Sequence, residues 1–141
     1  MVGASAVPGK WGFTILFNIL NGGFTGKIFP VNPREKSIMG LPCHASLMEI
    51  PEEIDAALIV TPAQAVPAVI DDCGARGIPY AIVITSNFSE TGREGARLER
   101  IIIDKAREYG MHIVGPNTMG IFSANSFLHA LMPTVQPLHG S

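Results

Sequence analysis

The chain has 141 residues and a formal net charge of −2 at pH 7, and 47% of its residues are apolar while 16% are charged. This length predicts one domain with a substantial core, and the acidic balance argues against nucleic acid, whose binding depends on clustered Lys and Arg. The two cysteines form no disulfide or metal-ligand pattern, and no apolar run approaches the roughly 18 residues of a membrane span. Without a recognisable signal peptide, we expect a cytoplasmic protein that binds no metal and no membrane.

Short runs rich in Val and Ile alternate with helical patterns along the chain. This rhythm predicts an α/β fold, a Rossmann-like, doubly wound sheet of five parallel strands with helices on both faces. Strands are predicted at residues 2–4, 27–31, 56–60, 80–85 and 111–114. Helices are predicted at residues 10–20, from residue 63 to a stop near residues 74–77, and, most clearly, at 91–109.

The periodicity fades beyond Gly120. We therefore predict that residues 1–120 form the domain and that residues 121–141 are a C-terminal tail or a linker toward a further domain. The tail is apolar, which predicts a partner surface there, and association of copies of the chain is one form this could take. The residues of this predicted surface are Phe127, Leu128, Leu131 and Met132.

The first strand is followed by a turn, Gly3-Ala4-Ser5, of the kind that binds phosphate groups. A Walker A loop is excluded because five residues separate Gly3 from Gly9 and because Lys10 is followed by Trp11 rather than Ser or Thr. A dinucleotide fingerprint needs a second glycine and an acidic residue ending the second strand, and neither is present, which disfavours NAD. The helix N-terminus after the turn still favours an anionic, nucleotide-like ligand.

Small, polar or Pro-containing turns follow all five predicted strands. In an open doubly wound sheet, ligands bind beyond the carboxyl ends of the strands. Turns of this kind along one edge predict a long groove for an extended ligand. The turns are at residues 3–5, 31–34, 60–63, 85–88 and 114–117.

Four stretches occur in the order of one known family, "VGASAVPGKWG", "GKIFPVNPREKSIMGLPCHASLMEIPEEIDAALIVTPA", "ITSNFSETGREG" and "VGPNTMG". In these stretches the chain resembles the CoA-binding domain of nucleoside-diphosphate-forming acyl-CoA synthetases. That family includes the succinyl-CoA synthetase alpha subunit and ADP-forming acetyl-CoA synthetase. The resemblance extends over nearly the whole chain and implies that coenzyme A or acyl-CoA is the ligand.

The resemblance implies where parts of CoA bind. The diphosphate is expected over the first turn, with backbone N–H groups and Lys10 as donors, and the second turn is expected to hold the nucleotide end, with Arg34 or Lys36 on the 3′-phosphate. The pantetheine arm is expected along the later turns. The implied binding residues are Gly3, Ser5, Ala6, Val7, Pro8, Lys10, Val31, Asn32, Pro33, Arg34, Lys36, Val60, Thr61, Pro62, Ser86, Asn87, Phe88 and Asn117.

The roles of Asn117, Trp11 and His139 each have an alternative interpretation. Asn117 either lies toward the thiol end of CoA or only bonds its own backbone in a turn. Many relatives have Cys after this Asn, whereas this chain has Thr118, which gives no support to a thiol role. Trp11 could stack on a ligand, but we expect it to pack in the core. His139 is expected in a linker, because the family's phosphohistidine lies in the following domain.

The family's full reaction converts acyl-CoA, nucleoside diphosphate and phosphate into acid, CoA and nucleoside triphosphate. The chain resembles neither the phosphohistidine domain nor the ATP-grasp domain of that enzyme, so no catalytic residue is assigned. We expect it to bind CoA without turnover on its own, with an ATP-grasp subunit or domain as partner in the full enzyme. Two alternatives are an NAD(H)-binding Rossmann-like sensor module and a CoA-sensing regulatory domain of an acetyltransferase.

Overall fold

The computed structural model describes residues 1–133 and has a mixed α/β architecture. Three helices account for most of its regular structure, α1 at Trp11–Asn21, α2 at Val66–Ala75 and α3 at Arg93–Glu108. The strands are β1 at Ser37–Ile38, β2 at Leu41–Pro42, β3 at Ala56–Ile59, β4 at Tyr80–Val83, β5 at His112–Val114, β6 at Gly120–Ser123 and β7 at Leu128–Leu131. Short 3-10 turns occupy Leu47–Glu49, Ala63–Ala65 and Ser89–Thr91.

The central sheet has three parallel strands in the order β3-β4-β5. The two N-terminal strands predicted from the sequence are reduced to single bridges, in which Val2 pairs with both Val31 and Ile59. Two causes limit their length. Gly3 turns the chain at φ +88, and Pro30 beside Val31 has no N–H for a ladder. The structure therefore has a three-stranded parallel sheet, extended on the β3 side by these bridges, where five full strands were predicted.

Helices lie on both faces of the sheet. Side chains alternate between the two faces along β3 and β4, and the apolar ones on each face pack against helices. On one face, Ala57, Ile59, Ala81 and Val83 belong to a core that includes α2 and α3 residues. On the other face, Leu58, Ile82 and Ile84 pack with the buried residues of α1. The carboxyl ends of the parallel strands therefore meet at one edge, between the helix layers.

Residues 120–131 form an antiparallel hairpin, β6 with β7, which the sequence did not predict. The hairpin packs on α1, and the Asn18 side-chain amide donates to the backbone oxygens of Leu131 and Pro133 at 2.8 and 2.9 Å. Leu128 and Met132 of the predicted partner surface pack against the core, whereas Phe127 is about half exposed. The prediction for His139 falls outside the described residues.

Candidate functional site

The first turn and the start of α1 approach each other through backbone alone. A Cβ on Gly12 would lie 2.0 Å from the Gly3 oxygen, and a Cβ on Gly3 would lie 2.9 Å from the Val60 carbonyl carbon. Only glycine fits at either position, and Gly3 also has a φ of +88, which disfavours other residues. Gly12 was missed by the sequence analysis. The sequence did contain a signal for it, because a glycine near the start of a helix that follows a strand often allows the helix to pack closely on that strand.

The loop between Gly3 and α1 is ordered by Ser5. Its Oγ accepts a hydrogen bond from the Val7 N–H at 3.0 Å, and Ser5 itself is buried. Residues 6–10 are exposed. Among the described residues no side chain caps the N-terminus of α1, and its first turn has no acidic residue. This end of the helix therefore keeps its positive dipole end and its free N–H groups open to an anion.

Asn32 connects the second turn to the first. Its Nδ2 donates to the Ala4 oxygen at 2.9 Å, and its Oδ1 accepts from the Arg34 N–H at 2.8 Å. The side chain thus holds two of the predicted turns side by side. Arg34 and Lys36 are exposed beside it, which leaves both cations accessible at this edge.

A pocket of about 190 Å³, which we call the socket, opens beside these turns. It brings together five residues predicted from the sequence, Gly3, Val31, Asn32, Pro33 and Thr61. Its other side consists of residues that the sequence analysis missed, among them Ser46, Leu47, Val69 and Asp72. These lie in the segment after β2 and on α2, away from any strand end, so no sequence signal pointed to them.

The third and fourth strand ends are linked by Thr85. Its hydroxyl donates to the Thr61 backbone oxygen at 2.7 Å, and the Asn117 N–H donates to the Thr85 oxygen at 2.9 Å. Asn117 is exposed in a left-handed conformation, with φ at +56. The Thr61 hydroxyl is buried and has no hydrogen-bond partner among residues 1–133. Val60 and Pro62 flank it in the chain.

The turn at Ser86, Asn87 and Phe88 is shaped by Glu90. Its carboxylate accepts hydrogen bonds from the N–H groups of Asn87 and Phe88. The pKa of Glu90 is lowered by hydrogen bonds from backbone groups to its carboxylate. The largest effect comes from its own backbone, and smaller ones come from Asn87 and Phe88. Ser86 and Asn87 are exposed, but Phe88 is 0% exposed and belongs to the core. The Phe88 ring is thus not accessible to a ligand, and the prediction that residues 86–88 border the pantetheine arm depends on Ser86, on Asn87 and on the backbone of Phe88.

Trp11 is exposed, although it was expected to be buried in the core. It is 52% exposed at the start of α1, so the expectation that it packs in the core is wrong. The helix packs on the sheet through Ile15, Leu16 and Ile19, and Trp11 lies outside this face. Its ring is accessible next to the loop at residues 6–10.

A larger cavity of about 310 Å³ lies elsewhere in the molecule. It is lined by residues before and within β3 and by Met1, Ile28 and Leu128, and by none of the CoA-binding residues predicted from the sequence. Polar groups that could orient a nucleotide are concentrated at the carboxyl edge instead, so we place the candidate site there. Within residues 1–133, no cluster of ligating side chains could hold a metal ion, and no helix is long and apolar enough to cross a bilayer.

A glycine turn under an uncapped helix, two accessible cations and a small socket at the strand ends define a nucleotide-binding α/β domain. The family model for the CoA binding domain matches residues 1–124. The chain belongs to this family of CoA-binding domains, and coenzyme A is its ligand.

The relatives include longer enzymes. The chain is 42% identical over 139 residues to acetate–CoA ligase [ADP-forming] II of Archaeoglobus fulgidus, covering 96% of this chain and 21% of that protein. It is 41% identical over 144 residues to acetate–CoA ligase [ADP-forming] I subunit alpha of Pyrococcus furiosus, covering 99% and 31%. The chain thus spans about a fifth to a third of the length of these relatives.

A solved structure agrees with the fold. The dinucleotide forming acetyl-coenzyme A synthetase 1 of Ca. Korarchaeum cryptofilum, in complex with phosphate and ADP, superposes with a TM-score of 0.89 at 43% sequence identity. The match covers 93% of this chain and 28% of that one. The fold described above is therefore similar to that of one part of this longer synthetase chain.

Proposed function

We propose that the chain is the CoA-binding part of an ADP-forming acyl-CoA synthetase and that by itself it binds CoA or acyl-CoA without turnover. The observation that carries this is the uncapped start of α1 above the Gly3 turn, beside the socket. A helix N-terminus of this kind attracts a diphosphate. The relatives named above are ADP-forming ligases, which supports the same enzyme class for this chain.

We propose that the diphosphate of CoA lies over the loop from Ser5 through Ala6, Val7 and Pro8 to Lys10. The nucleotide end then lies at the second turn, where Arg34 and Lys36 pair with the 3′-phosphate. The arm runs past Val60, Thr61 and Pro62 toward Ser86, Asn87 and Asn117. This path is supported by the exposure of residues along one edge, namely residues 6–10, Arg34, Lys36, Pro62, Ser86, Asn87 and Asn117. Phe88 contributes through its backbone, since its ring is in the core.

The remaining steps of the family reaction need further polypeptide. We propose that an ATP-grasp subunit or domain and a phosphohistidine domain complete the enzyme, since one relative is named as a subunit alpha. We further propose that the domain ends at residue 120, that copies of the chain associate, and that the sheet has five strands in the assembled enzyme. We also propose a cytoplasmic location, with which the free thiols of Cys43 and Cys73 are consistent.

The test is a titration of the purified chain with CoA, dephospho-CoA, acetyl-CoA and NADH. Calorimetry measures affinity, and the fluorescence of Trp11, the only tryptophan, reports binding near the loop. We expect CoA and acetyl-CoA to bind, dephospho-CoA to bind more weakly, and NADH to bind least. Preferential binding of NADH would support the sensor module instead, and acyl-CoA-dependent ATP synthesis by this chain alone would contradict the absence of turnover.

A further inference from the structure

The helix α1 carries apolar residues on the side that faces away from the sheet. It buries Ile15, Leu16 and Ile19 against the sheet. On its opposite side, Phe17 is 48% exposed and Leu20 is 39% exposed. None of the 11 residues of α1 is charged. A helix that is apolar all round is typical of one that is covered on both sides.

Phe13, Phe17 and Leu20 form one continuous stripe, which we call the outer face of α1. Their spacing along the chain places them on the same side of the helix. The rings of Phe13 and Phe17 stack on each other, with centroids 6.4 Å apart and planes inclined by 5°. Single exposed apolar residues are common on protein surfaces, whereas clustered aromatic residues are typical of interfaces.

The exposed side of α3 has a different character. Arg97 pairs there with Glu94 at 3.7 Å. Arg107 pairs with Asp104 at 3.8 Å in the same way. Charged pairs of this kind are typical of a helix surface in contact with water. The lack of any charge on α1 therefore distinguishes its outer face from a solvated helix surface.

The charge pattern of α1 favours a second copy of the same chain as its partner. In a two-fold dimer the same face meets itself, so a stripe of like charges would repel its own copy and an uncharged stripe does not. The first turn of α1 has no acidic residue and the last turn has no basic one, so no side chain offsets the helix dipole. Antiparallel pairing of two such helices places the positive end of each beside the negative end of the other.

We propose that two copies of the chain associate through the outer face of α1, with the helices antiparallel and Phe13 of each copy packed on Phe17 of the other. The stacked pair of each chain then becomes part of a cluster of four rings, and Leu20 packs at its border. This inference rests on the proposed function, in which copies of the chain associate, and it assigns that association to α1. Two residues of the partner surface predicted from the sequence, Leu128 and Met132, pack against the core instead.

Sedimentation velocity on the full chain tests this pairing over a range of protein concentrations. We expect a dimer that dissociates on dilution. Phe17→Glu should raise the dissociation constant of the dimer by about a hundredfold or more, because the substitution acts twice in a symmetric dimer and removes an aromatic contact each time. Ile103→Glu places the same charge at an apolar residue of α3 that is 38% exposed, and this control should leave the dissociation constant unchanged.

A charge swap tests the antiparallel register. Phe13→Lys and Phe17→Glu should each be monomeric alone, and an equimolar mixture of the two should form a dimer, because the introduced lysine of one copy lies beside the introduced glutamate of the other. Circular dichroism and a CoA titration of each variant show whether the fold and the ligand site are intact. A mixture that stays monomeric would overturn the antiparallel register.

Two further outcomes would overturn the inference as a whole. One is an unsubstituted chain that is monomeric at every concentration, which would leave the outer face of α1 to the further polypeptide of the synthetase. The other is a dimer that Phe17→Glu does not weaken. Both results would leave CoA binding unaffected, whereas absence of CoA binding by the unsubstituted chain would contradict the proposed function and not the pairing.

Discussion

The side-chain amide of Asn32 donates a hydrogen bond to the backbone oxygen of Ala4, with 2.9 Å between Nδ2 and O. The same side chain accepts from the Arg34 N–H. One residue therefore fixes the spacing between the turn expected to hold the diphosphate and the turn expected to hold the nucleotide.

Replacing this residue should weaken both the fold and the ligand site. In Asn32→Ala the Ala4 oxygen and the Arg34 N–H lose their partner, and we expect the free energy of unfolding to fall by about 1 kcal/mol or more. Chemical denaturation measures this change, and calorimetry measures the accompanying loss of CoA affinity. Asn21→Ala, at the exposed end of α1, is the matched control. Unchanged CoA binding by Asn32→Ala would show that the two turns keep their spacing without this bridge.

Gly12→Ala should disrupt the contact between α1 and the first turn. Alanine ordinarily favours a helix over glycine by roughly 1 kcal/mol, but here its Cβ would lie 2.0 Å from the Gly3 oxygen. We expect net destabilisation of roughly 1–3 kcal/mol and a large loss of CoA affinity. Denaturation and calorimetry test this, with Thr14→Ala on the same helix as control. A stabilised variant would mean that the helix can move away at no cost.

Thr61→Val should separate folding stability from ligand binding. Valine has nearly the same shape and removes a buried hydroxyl that has no partner among the described residues, so the free protein should be as stable or more stable. If the hydroxyl bonds the ligand, CoA affinity should fall by about three- to tenfold. Thermal melting with and without CoA gives both quantities. Equal loss of stability in both conditions would assign the hydroxyl a purely structural role.

The two exposed cations should distinguish CoA from dephospho-CoA. We expect Arg34→Ala and Lys36→Ala each to weaken CoA binding by roughly fivefold or less, as for an ion pair in contact with water, and to leave dephospho-CoA binding unchanged. Arg100→Ala, an exposed cation on α3, is the control for net charge. Equal effects on both ligands would show that the 3′-phosphate binds at another part of the edge.

The ion pair between Asp71 and Lys105 should give a pH-dependent part of the stability. The hydrogen bond from Lys105 lowers the pKa of Asp71, and the same contact raises the pKa of Lys105. The Asp71 contribution is present above the carboxyl's unfolded pKa and is lost as pH falls through the lower folded value. The Lys105 contribution is lost as pH rises through its raised folded value.

Asp71→Asn should therefore be less stable than the unsubstituted chain at neutral pH. The difference should shrink below about pH 4, where the unfolded carboxyl is protonated. Urea denaturation from pH 3 to 8 measures the difference, and one that stays constant over this range would contradict the ion pair's role.

The strongly periodic elements were predictable from the sequence. The helix predicted at residues 91–109 is α3 at Arg93–Glu108, and the strand predicted at residues 56–60 is β3 at Ala56–Ile59. Their apolar spacing repeats over enough residues to identify them. Strands of two residues, such as β1, have no period to detect. Hairpin β6-β7 was missed because its apolar residues do not alternate cleanly with polar ones.

The site was predictable where it lies at strand ends and not where it depends on packing. Asn32 and Thr61 line the candidate site together because turns after parallel strands collect at one edge, as the sequence pattern predicts. Asp72 was not found, because only the packing of α2 beside the second turn brings it there. Trp11 was assigned the wrong environment, because a single aromatic residue carries no information on which side of its backbone the core lies.

The contact between Gly3 and Gly12 also bears on how fast a ligand can bind. Because the backbone of Gly12 packs directly against the backbone of Gly3, we expect the start of α1 and the first turn to move together. The loop between them is held at both ends before any ligand arrives, which reduces the ordering cost of association. We therefore expect CoA to bind in a single kinetic phase whose rate rises linearly with ligand concentration, without a slow rearrangement of the protein.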